Sequence, residues 1–134
     1  MNEKEDVQKK IMEFQILDNN LKMLQERAEM VNQRLEDMHR TKVAIEDLKT
    51  TKPNKALIPL GSGNFVYGGI ENCEDIIVSV GSDVVIKKKR EKAIEVLDVR
   101  IKELESNLNT ILRQSSAFVM QLEKIQQELE SLQK

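Results

Sequence analysis

Apolar residues recur with heptad spacing through the first third of the chain. With Val7 taken as position a, ten of the twelve a and d positions up to Ile45 are apolar, and the exceptions are Lys10 and Lys42. An apolar seam sustained over six heptads is typical of a long coiled-coil helix. The pattern therefore predicts a helix over residues 5–50.

The last third of the chain repeats this pattern. With Ile94 as position a, eleven of the twelve a and d positions up to Leu132 are apolar, and Ser115 is the exception. This predicts a second helix over residues 91–133. Only about 40 residues separate the two segments, so the simplest packing folds one helix back on the other as an antiparallel coiled coil.

Two registers of this antiparallel pair remain open. If the position numbers of facing seam residues add to 139, every seam residue faces another across the pair. Lys10 and Lys42 then face leucines, which is tolerable when their aliphatic stems lie along the seam and the ammonium groups reach water. A slip of one heptad raises the total to 146 and places Ala28 opposite Phe118. The sequence does not decide between the two.

The centre of the chain has a different pattern, with all five glycines and both prolines between positions 53 and 81. Short β-branched and aromatic runs alternate there with turn-forming residues, which predicts strands joined in hairpins. Gly61-Ser62-Gly63 and Gly81-Ser82-Asp83 suit tight hairpin turns, and Gly68-Gly69 indicates a bulge or bend. The predicted strands, in two hairpins, cover residues 57–60, 64–70, 76–80 and 84–87.

These predicted strands cannot bury their apolar side chains within one chain. About eight strands are needed to close a barrel filled by side chains, and a lone hairpin leaves apolar faces and unpaired edges exposed. We therefore expect an obligate oligomer that assembles through residues 57–87. The side chains expected to form this assembly surface are those of Leu57, Ile58, Leu60, Phe65, Val66, Tyr67, Ile70, Ile76, Ile77, Val78, Val80, Val84, Val85 and Ile86.

Composition changes this picture mainly by exclusion. Charged residues make up 33% of the chain and aromatic residues 3%, with one His, one Cys and no Trp. Little is left with which to line a deep pocket or build a catalytic or metal-binding cluster, so we expect neither enzyme activity nor a cofactor. The net charge of −2 argues against nucleic-acid binding, which needs a basic excess on one face. The basic run 87–90 is accordingly interpreted as a solvated junction between strand and helix.

The sequence also favours a soluble, cytoplasmic protein. Cys73 has no second cysteine to pair with, and the absence of a disulfide framework is typical of an intracellular setting. No apolar run reaches the roughly 18–20 residues that span a bilayer. The first residues are polar and partly acidic, unlike a signal peptide. We therefore expect no membrane partner.

The order of these motifs resembles one known family. A heptad arm is followed by Leu57-Ile58-Pro59-Leu60-Gly61 and Phe65-Val66-Tyr67, then by Ile76-Ile77-Val78-Ser79-Val80-Gly81 and a second arm. This pattern, with its two hairpins, resembles the alpha-class subunit of archaeal-type prefoldin over essentially the whole chain. The resemblance implies a single domain over residues 1–134, mostly α with a small β insert. A long antiparallel two-helix coiled coil would be joined by two β-hairpins that complete an intersubunit β-barrel.

The resemblance also implies partners and an activity. The expected assembly is a hexamer of two alpha-class and four beta-class subunits, with the coiled coils hanging from a β-barrel body like tentacles. Such a complex is an ATP-independent molecular chaperone, a holdase that captures unfolded proteins with its tentacles. It then hands these non-native clients to a group II chaperonin.

Candidate client-binding residues lie towards the ends of the chain. Because the β insert joins the inner ends of the arms, both termini lie at the far tip, where terminal turns fray and open the last seam layers. Apolar residues off the seam are further candidates, since an isolated helix pair needs polar residues there and methionine adapts to varied surfaces. The seam candidates could instead only close the coiled coil, and the off-seam candidates could contact a neighbouring arm or be scattered surface methionines. The candidates are Val7, Ile11, Met12, Phe14, Ile16, Leu17, Met23, Val119, Met120, Ile125, Leu129 and Leu132.

Two other functions stay open. A structural adaptor would dock its coiled coil on one specific partner helix instead of on many unfolded proteins. A nucleic-acid-binding arm would bind RNA with a strong dependence on salt, and the acidic balance disfavours it.

Overall fold

The computed structural model describes residues 3–49 and 55–132, which form two long helices and two small β-hairpins. This confirms the predicted fold class. The helices begin slightly earlier than predicted; residues 48 and 49 form a turn, and the predicted helix ends at 50 and 133 lie outside the described residues. The elements are α1 (Glu3–Asp47), β1 (Ala56–Gly61), β2 (Asn64–Gly68), β3 (Asp75–Gly81), β4 (Val84–Lys89) and α2 (Arg90–Leu132).

The chain forms two compact units. The first, called the helical unit below, consists of Met1–Leu35 and Glu103–Lys134. The second, the hairpin unit, is the continuous segment Glu36–Lys102, which contains both hairpins and the adjoining parts of α1 and α2. No helix among the described residues is long and apolar enough to cross a membrane.

The heptad seam forms the core of the helices. In α1 every a and d position from Val7 to Ile45 is buried or half-buried, and nearly every other position is exposed. In α2 the same holds for the seam from Ile94 to Leu129, and Leu132 is 37% exposed. Burial of one apolar stripe per helix is what a coiled coil requires. The buried seam residues are Leu21, Leu24, Leu35, Ile45, Ile101, Ile111, Leu122 and Ile125.

Ser115, the break in the predicted seam, has a buried hydroxyl. Its Oγ has no hydrogen-bond partner among the residues that the structure describes. A buried hydroxyl without a partner loses its bonds to water and gains none in return, which costs about 1–3 kcal/mol. The seam therefore loses stability at this layer of the helical unit.

Replacing Ser115 with alanine should stabilise the helical unit. We expect Ser115→Ala to raise the free energy of unfolding by about 1 kcal/mol, since the unpaired hydroxyl is removed. The matched control is Ser116→Ala, because the neighbouring Ser116 is exposed and reports only the higher helix propensity of alanine. Denaturant unfolding followed by helical circular dichroism measures both. Equal gains at the two positions would contradict a cost of burial at Ser115.

Both hairpins close with the same kind of turn. The two central residues of each turn have positive φ, +53° at Ser62 and +80° at Gly63 in the first, +50° at Ser82 and +61° at Asp83 in the second. Two such residues in succession form a type I′ turn, which matches the twist of the flanking strands. Just before each turn the register shifts, so that two residues of the first strand oppose one of the second. The tight turns predicted at these positions are therefore present.

The second strand is shorter than predicted. β2 ends at Gly68, which pairs with Ala56, so the extension of this strand to Ile70 is wrong. A Cβ atom at Gly68 would collide with the side chain of Ile58; glycine therefore leaves room for that isoleucine. Since two successive glycines offer no side chains to stabilise a strand, the pairing stops there. Ile70 lies beyond the strand and is half-buried.

A cluster of polar side chains fixes the start of the second hairpin. Asn72 accepts hydrogen bonds from the backbone N–H groups of Glu74 and Asp75 at 2.9 and 3.1 Å. The Asp75 carboxylate accepts a bond from the Asn72 amide at 2.9 Å and lies 3.1 Å from Lys89 Nζ and 3.6 Å from Lys87 Nζ. The Asn72 hydrogen bond first, then Lys89, holds the pKa of Asp75 below its usual value. Lys87 and Lys89 of the basic run are exposed as expected of a solvated junction, whereas Lys88 and Arg90 are half-buried.

Two arginines of α2 hold the hairpin unit together. The guanidinium of Arg90 donates to the carbonyl of Cys73 at 3.0 Å, and the Arg90 backbone N–H donates to the carbonyl of Glu74 at 2.8 Å. Ten residues further along α2, the Arg100 guanidinium donates to the carbonyl of Ser79 at 2.7 Å. Both ends of β3 are therefore attached to the first part of α2.

Candidate functional site

The helical unit carries apolar side chains outside its seam. Ile16, Met23 and Met30 repeat at position c of α1, and their exposed fractions are 58%, 59% and 67%. The whole set extends from 40% exposed at Val119 to 70% at Met120. In a helix pair whose outer surface contacts only water, positions outside the seam carry polar residues. The set consists of Ile11, Met12, Ile16, Met23, Met30, Leu112, Val119 and Met120.

Two clefts open between the helices of this unit on the side of the c and g positions. The first has a volume of about 460 Å³, with the seam residues Leu17 and Ile125 at its base and Ile16 on its wall. The second, of about 400 Å³, has Leu24 and Phe118 at its base. The other lining residues are Glu13, Gln121, Lys124 and Glu128 in the first and Asn20, Met23, Arg27, Gln114 and Ala117 in the second.

The second cleft repeats the first after one heptad. Met23 occupies the place of Ile16, and Leu24 that of Leu17. One heptad of α-helix is about 10 Å long, so two similar apolar depressions follow each other at that distance. This surface, defined by the two clefts, is called the paired-cleft face below.

Ion pairs decide the register of the helices. Within the helical unit, Lys10 Nζ forms a hydrogen-bonded salt bridge with the carboxylate of Glu128. Glu128 is the neighbour of Leu129, the seam residue expected to face Lys10. Within the hairpin unit, Lys42 Nζ lies 2.7 Å from Asp98, the neighbour of Leu97. Both ion pairs agree with the register in which the numbers of facing seam residues add to 139. A slip of one heptad would move the partners of each pair about 10 Å apart along the helix axis. The two seam lysines thus reach carboxylates instead of only water.

The Lys10–Glu128 pair shifts the pKa of both groups. The hydrogen bond from Lys10 lowers the pKa of Glu128 below 4.5, with a smaller contribution from Lys124, and the same bond raises the pKa of Lys10 above 10.5. The Glu128 carboxylate stabilises the fold above pH 4.5, and this contribution is lost as the pH falls through its folded-state pKa. The Lys10 ammonium group stabilises the fold below pH 10.5, and this contribution is lost as the pH rises through its raised folded-state pKa.

Glu128→Gln should therefore lower the thermal midpoint of helix unfolding modestly at neutral pH. The difference from the wild type should vanish well below pH 4.5, where Glu128 is protonated in both states. Thermal melts by circular dichroism across pH measure it, and the exposed Glu130→Gln is the matched control. A difference that persists unchanged in acid would show that the ion pair is not its cause.

The candidates at the helix ends differ in accessibility. Ile125 is only 8% exposed and would contact a client only if the helices separated. Val7, Phe14, Leu17 and Leu129 are half-buried, and Leu132 is more exposed. The off-seam candidates, by contrast, are open as the helices stand. They are Ile11, Met12, Ile16, Met23, Val119 and Met120.

The first hairpin exposes apolar side chains on both faces. Leu57 and Phe65 share one face with Tyr67, which is 76% exposed. Ile58 and Val66 lie opposite each other on the other face and are less exposed. Since directly opposite residues of an antiparallel pair point to the same side, this two-stranded sheet has no polar face.

The second hairpin has one open and one partly covered face. Ile77 and Val85 lie on the open face, 64% and 59% exposed. Ile76 and Val78 are half-buried on the other face, where Ile86 is 39% exposed. The remaining candidates near the turns, Leu60, Val80 and Val84, are exposed. Together the hairpins carry more exposed apolar side chains than an isolated soluble chain tolerates.

Sequence reasoning missed two features of the structure. Ala93 is 1% exposed and is the most buried residue of the core. It occupies heptad position g, which flanks the seam and is usually only partly covered. Such burial needs a neighbour outside a simple helix pair, for which the pattern gives no signal. The paired-cleft face was also missed, although the apolar c positions Ile16 and Met23 were recognisable as unusual.

The described residues form no candidate metal site. They contain no group of three or more His, Cys, Asp and Glu side chains that could hold a metal ion. His39 is exposed, and Cys73 is a free, half-buried thiol in the segment before β3. What the geometry provides is apolar surface on two separate units.

Comparison with known proteins decides the family. A family model described as prefoldin subunit matches residues 3–134. The chain belongs to the prefoldin family. It is 31% identical to a prefoldin subunit alpha of Archaeoglobus fulgidus over 99% of this chain and 98% of the relative. It is 30% identical to that of Methanococcus vannielii, over 94% and 85%.

The prefoldin fold is also found among solved structures. A chain of the filamentous PFD from Methanocaldococcus jannaschii, determined by cryo-electron microscopy, superposes with a TM-score of 0.75 at 18% identity, over 86% of this chain and 96% of that chain. The resemblance to the alpha class is confirmed. Prefoldin subunits are chaperone subunits, and the family is not known for enzyme activity.

Proposed function

We propose that this prefoldin subunit is part of an ATP-independent holdase that captures unfolded proteins with its helical unit. The observation that carries the proposal is the exposed off-seam apolar set of that unit, from Ile11 to Met120. Unfolded proteins differ from folded ones in their exposed apolar segments, and apolar surface binds them without regard to sequence. Capture by burial alone needs no nucleotide.

The chemistry of this surface suits many clients. Aliphatic side chains and methionine dominate it, and aromatic anchors that would favour one partner are few. Methionine has three rotatable bonds and adapts its shape to different contacts. Glu13, Lys124 and Arg27 border the clefts, so that clients of either charge can be accommodated.

The hairpins are proposed as the assembly surface. Leu57, Tyr67 and Ile77 are more than half exposed, and burying such side chains against other subunits would remove an aggregation hazard. The expected partners are beta-class prefoldin subunits, four for every two copies of this chain, in a shared β-barrel. The group II chaperonin is the proposed recipient of the clients.

The test is capture by the complex reconstituted with its companion beta-class subunits. The complex should suppress the aggregation of several unrelated proteins diluted from denaturant, without ATP, and release them to a group II chaperonin. Light scattering measures suppression, and client refolding measures transfer. Failure with every client would refute the holdase function, and suppression without transfer would refute only the chaperonin step.

A structural adaptor is the second candidate. The paired-cleft face favours it, because a repeat of about 10 Å matches side chains seven positions apart on a docked helix. An extended strand has no such spacing, since its side chains on one face repeat at about 7 Å. Tight binding of a single folded partner together with no suppression of aggregation would support the adaptor instead.

A further inference from the structure

The methionines of the chain are concentrated on the exposed surface of the helical unit. The structure describes five of the six methionines, of which Met12, Met23, Met30 and Met120 are 59–70% exposed. All of these belong to the helical unit. Met38, at a seam position of the hairpin unit, is half-buried.

We propose that these four methionines form an oxidation-sensitive site and that their oxidation weakens client capture. The proposal rests on the holdase function proposed above. A peroxide such as hydrogen peroxide transfers one oxygen atom to the thioether sulfur: the O–O bond breaks, an S=O bond forms, and water leaves. The sulfur is oxidised by two electrons and the peroxide is reduced, so the step needs no further reactant.

The chemistry of the product explains the loss of capture. A sulfoxide is strongly polar, and burying it against an apolar client segment leaves its oxygen without a hydrogen-bond partner. Met23 is the most sensitive position, because it lines the second cleft beside Leu24 and Phe118. Ile16 has the same place in the first cleft and cannot be oxidised in this way. Oxidation would thus remove one cleft and leave the other.

The arrangement also makes the change reversible and local. All four sulfurs lie on side chains open to solvent, within reach of both the peroxide and a methionine sulfoxide reductase. None of them is a seam residue, so their oxidation leaves the helices paired. The half-buried Met38 is expected to react later than the other four.

The experiment compares two reconstituted complexes that share the same companion subunits. One contains the wild-type chain and the other the variant with Met12, Met23, Met30 and Met120 all changed to Leu. Each is treated with hydrogen peroxide, then with dithiothreitol to reverse oxidation of Cys73. Peptide mass spectrometry records oxygen uptake at each methionine, and light scattering records client capture.

We expect the wild-type complex to lose capture about fivefold or more, with the four exposed methionines oxidised before Met38. Capture by the variant, measured against its own untreated level, should not change with peroxide, and a sulfoxide reductase should restore the wild type. An equal loss in both complexes, or full capture by a wild type with all four sulfoxides, would overturn the proposal. If neither complex captures clients before treatment, the holdase function itself fails.

Discussion

A chain carrying Ile77→Asp is expected to fold its helices and yet remain outside the complex. Ile77 lies on the open face of the second hairpin, and its cross-strand neighbour is Lys87. The new carboxylate can pair with that lysine in the free chain, which offsets part of the low strand propensity of aspartate. In an apolar interface the same carboxylate loses its water, at a cost of several kcal/mol. About 4 kcal/mol corresponds to roughly a thousandfold weaker association.

Mass spectrometry of the mixture with companion subunits measures this loss, and circular dichroism measures the helices. The matched control is Val43→Asp, since Val43 is 54% exposed on α1 in the same unit but outside the hairpins. The control chain should enter the complex. An intact complex with Ile77→Asp would show that the open face of this hairpin is not an assembly surface.

The helices and hairpins were predictable because each follows from a strictly local pattern. A seam such as that of α1 needs only one apolar face per turn, and its period of 3.5 residues is visible without any partner. The turns at Ser62 and Ser82 were predictable because clusters of Gly, Ser and Asp separate the strand-like runs there. Local chemistry alone determines both features.

Features that depend on two distant segments were harder to predict. Lys10 and Lys42 were expected to reach water, and the structure pairs them with Glu128 and Asp98. The choice between two registers one heptad apart needed those contacts, because either register buries apolar seams. The two clefts also depend on distant segments, because residues from both helices line each of them and the pattern of one helix does not reveal it.

The end of β2 shows a different limit. The apolar Ile70 suggested a longer strand, but β2 ends at Gly68. The two successive glycines offer no side chains to stabilise the strand pairing, and a single isoleucine beyond them does not restore it. Gly68 also has a packing reason, the side chain of Ile58 above it. Of the bulge or bend predicted at this glycine pair, the structure shows no bulge, because the strand ends at Gly68.

The second large effect is expected from the paired-cleft face. Changing both Ile16 and Met23 to Ser should keep the complex intact but weaken client capture on the order of tenfold, because each loses apolar area that a client would cover. Both residues are off the seam and more than half exposed, so the helices lose little stability. Capture is measured as the chaperone concentration that halves client light scattering.

The control for this variant carries the same number of changes at similar exposure. Val43 and Val99 are 54% and 56% exposed in the hairpin unit, and changing both to Ser removes a similar apolar area away from the clefts. If capture depends on the paired-cleft face, this control keeps it while the Ile16 and Met23 variant loses it. If both variants lose capture equally, clients are held by apolar surface in general. If neither does, the companion subunits supply the contacts, and the role proposed for these clefts is wrong.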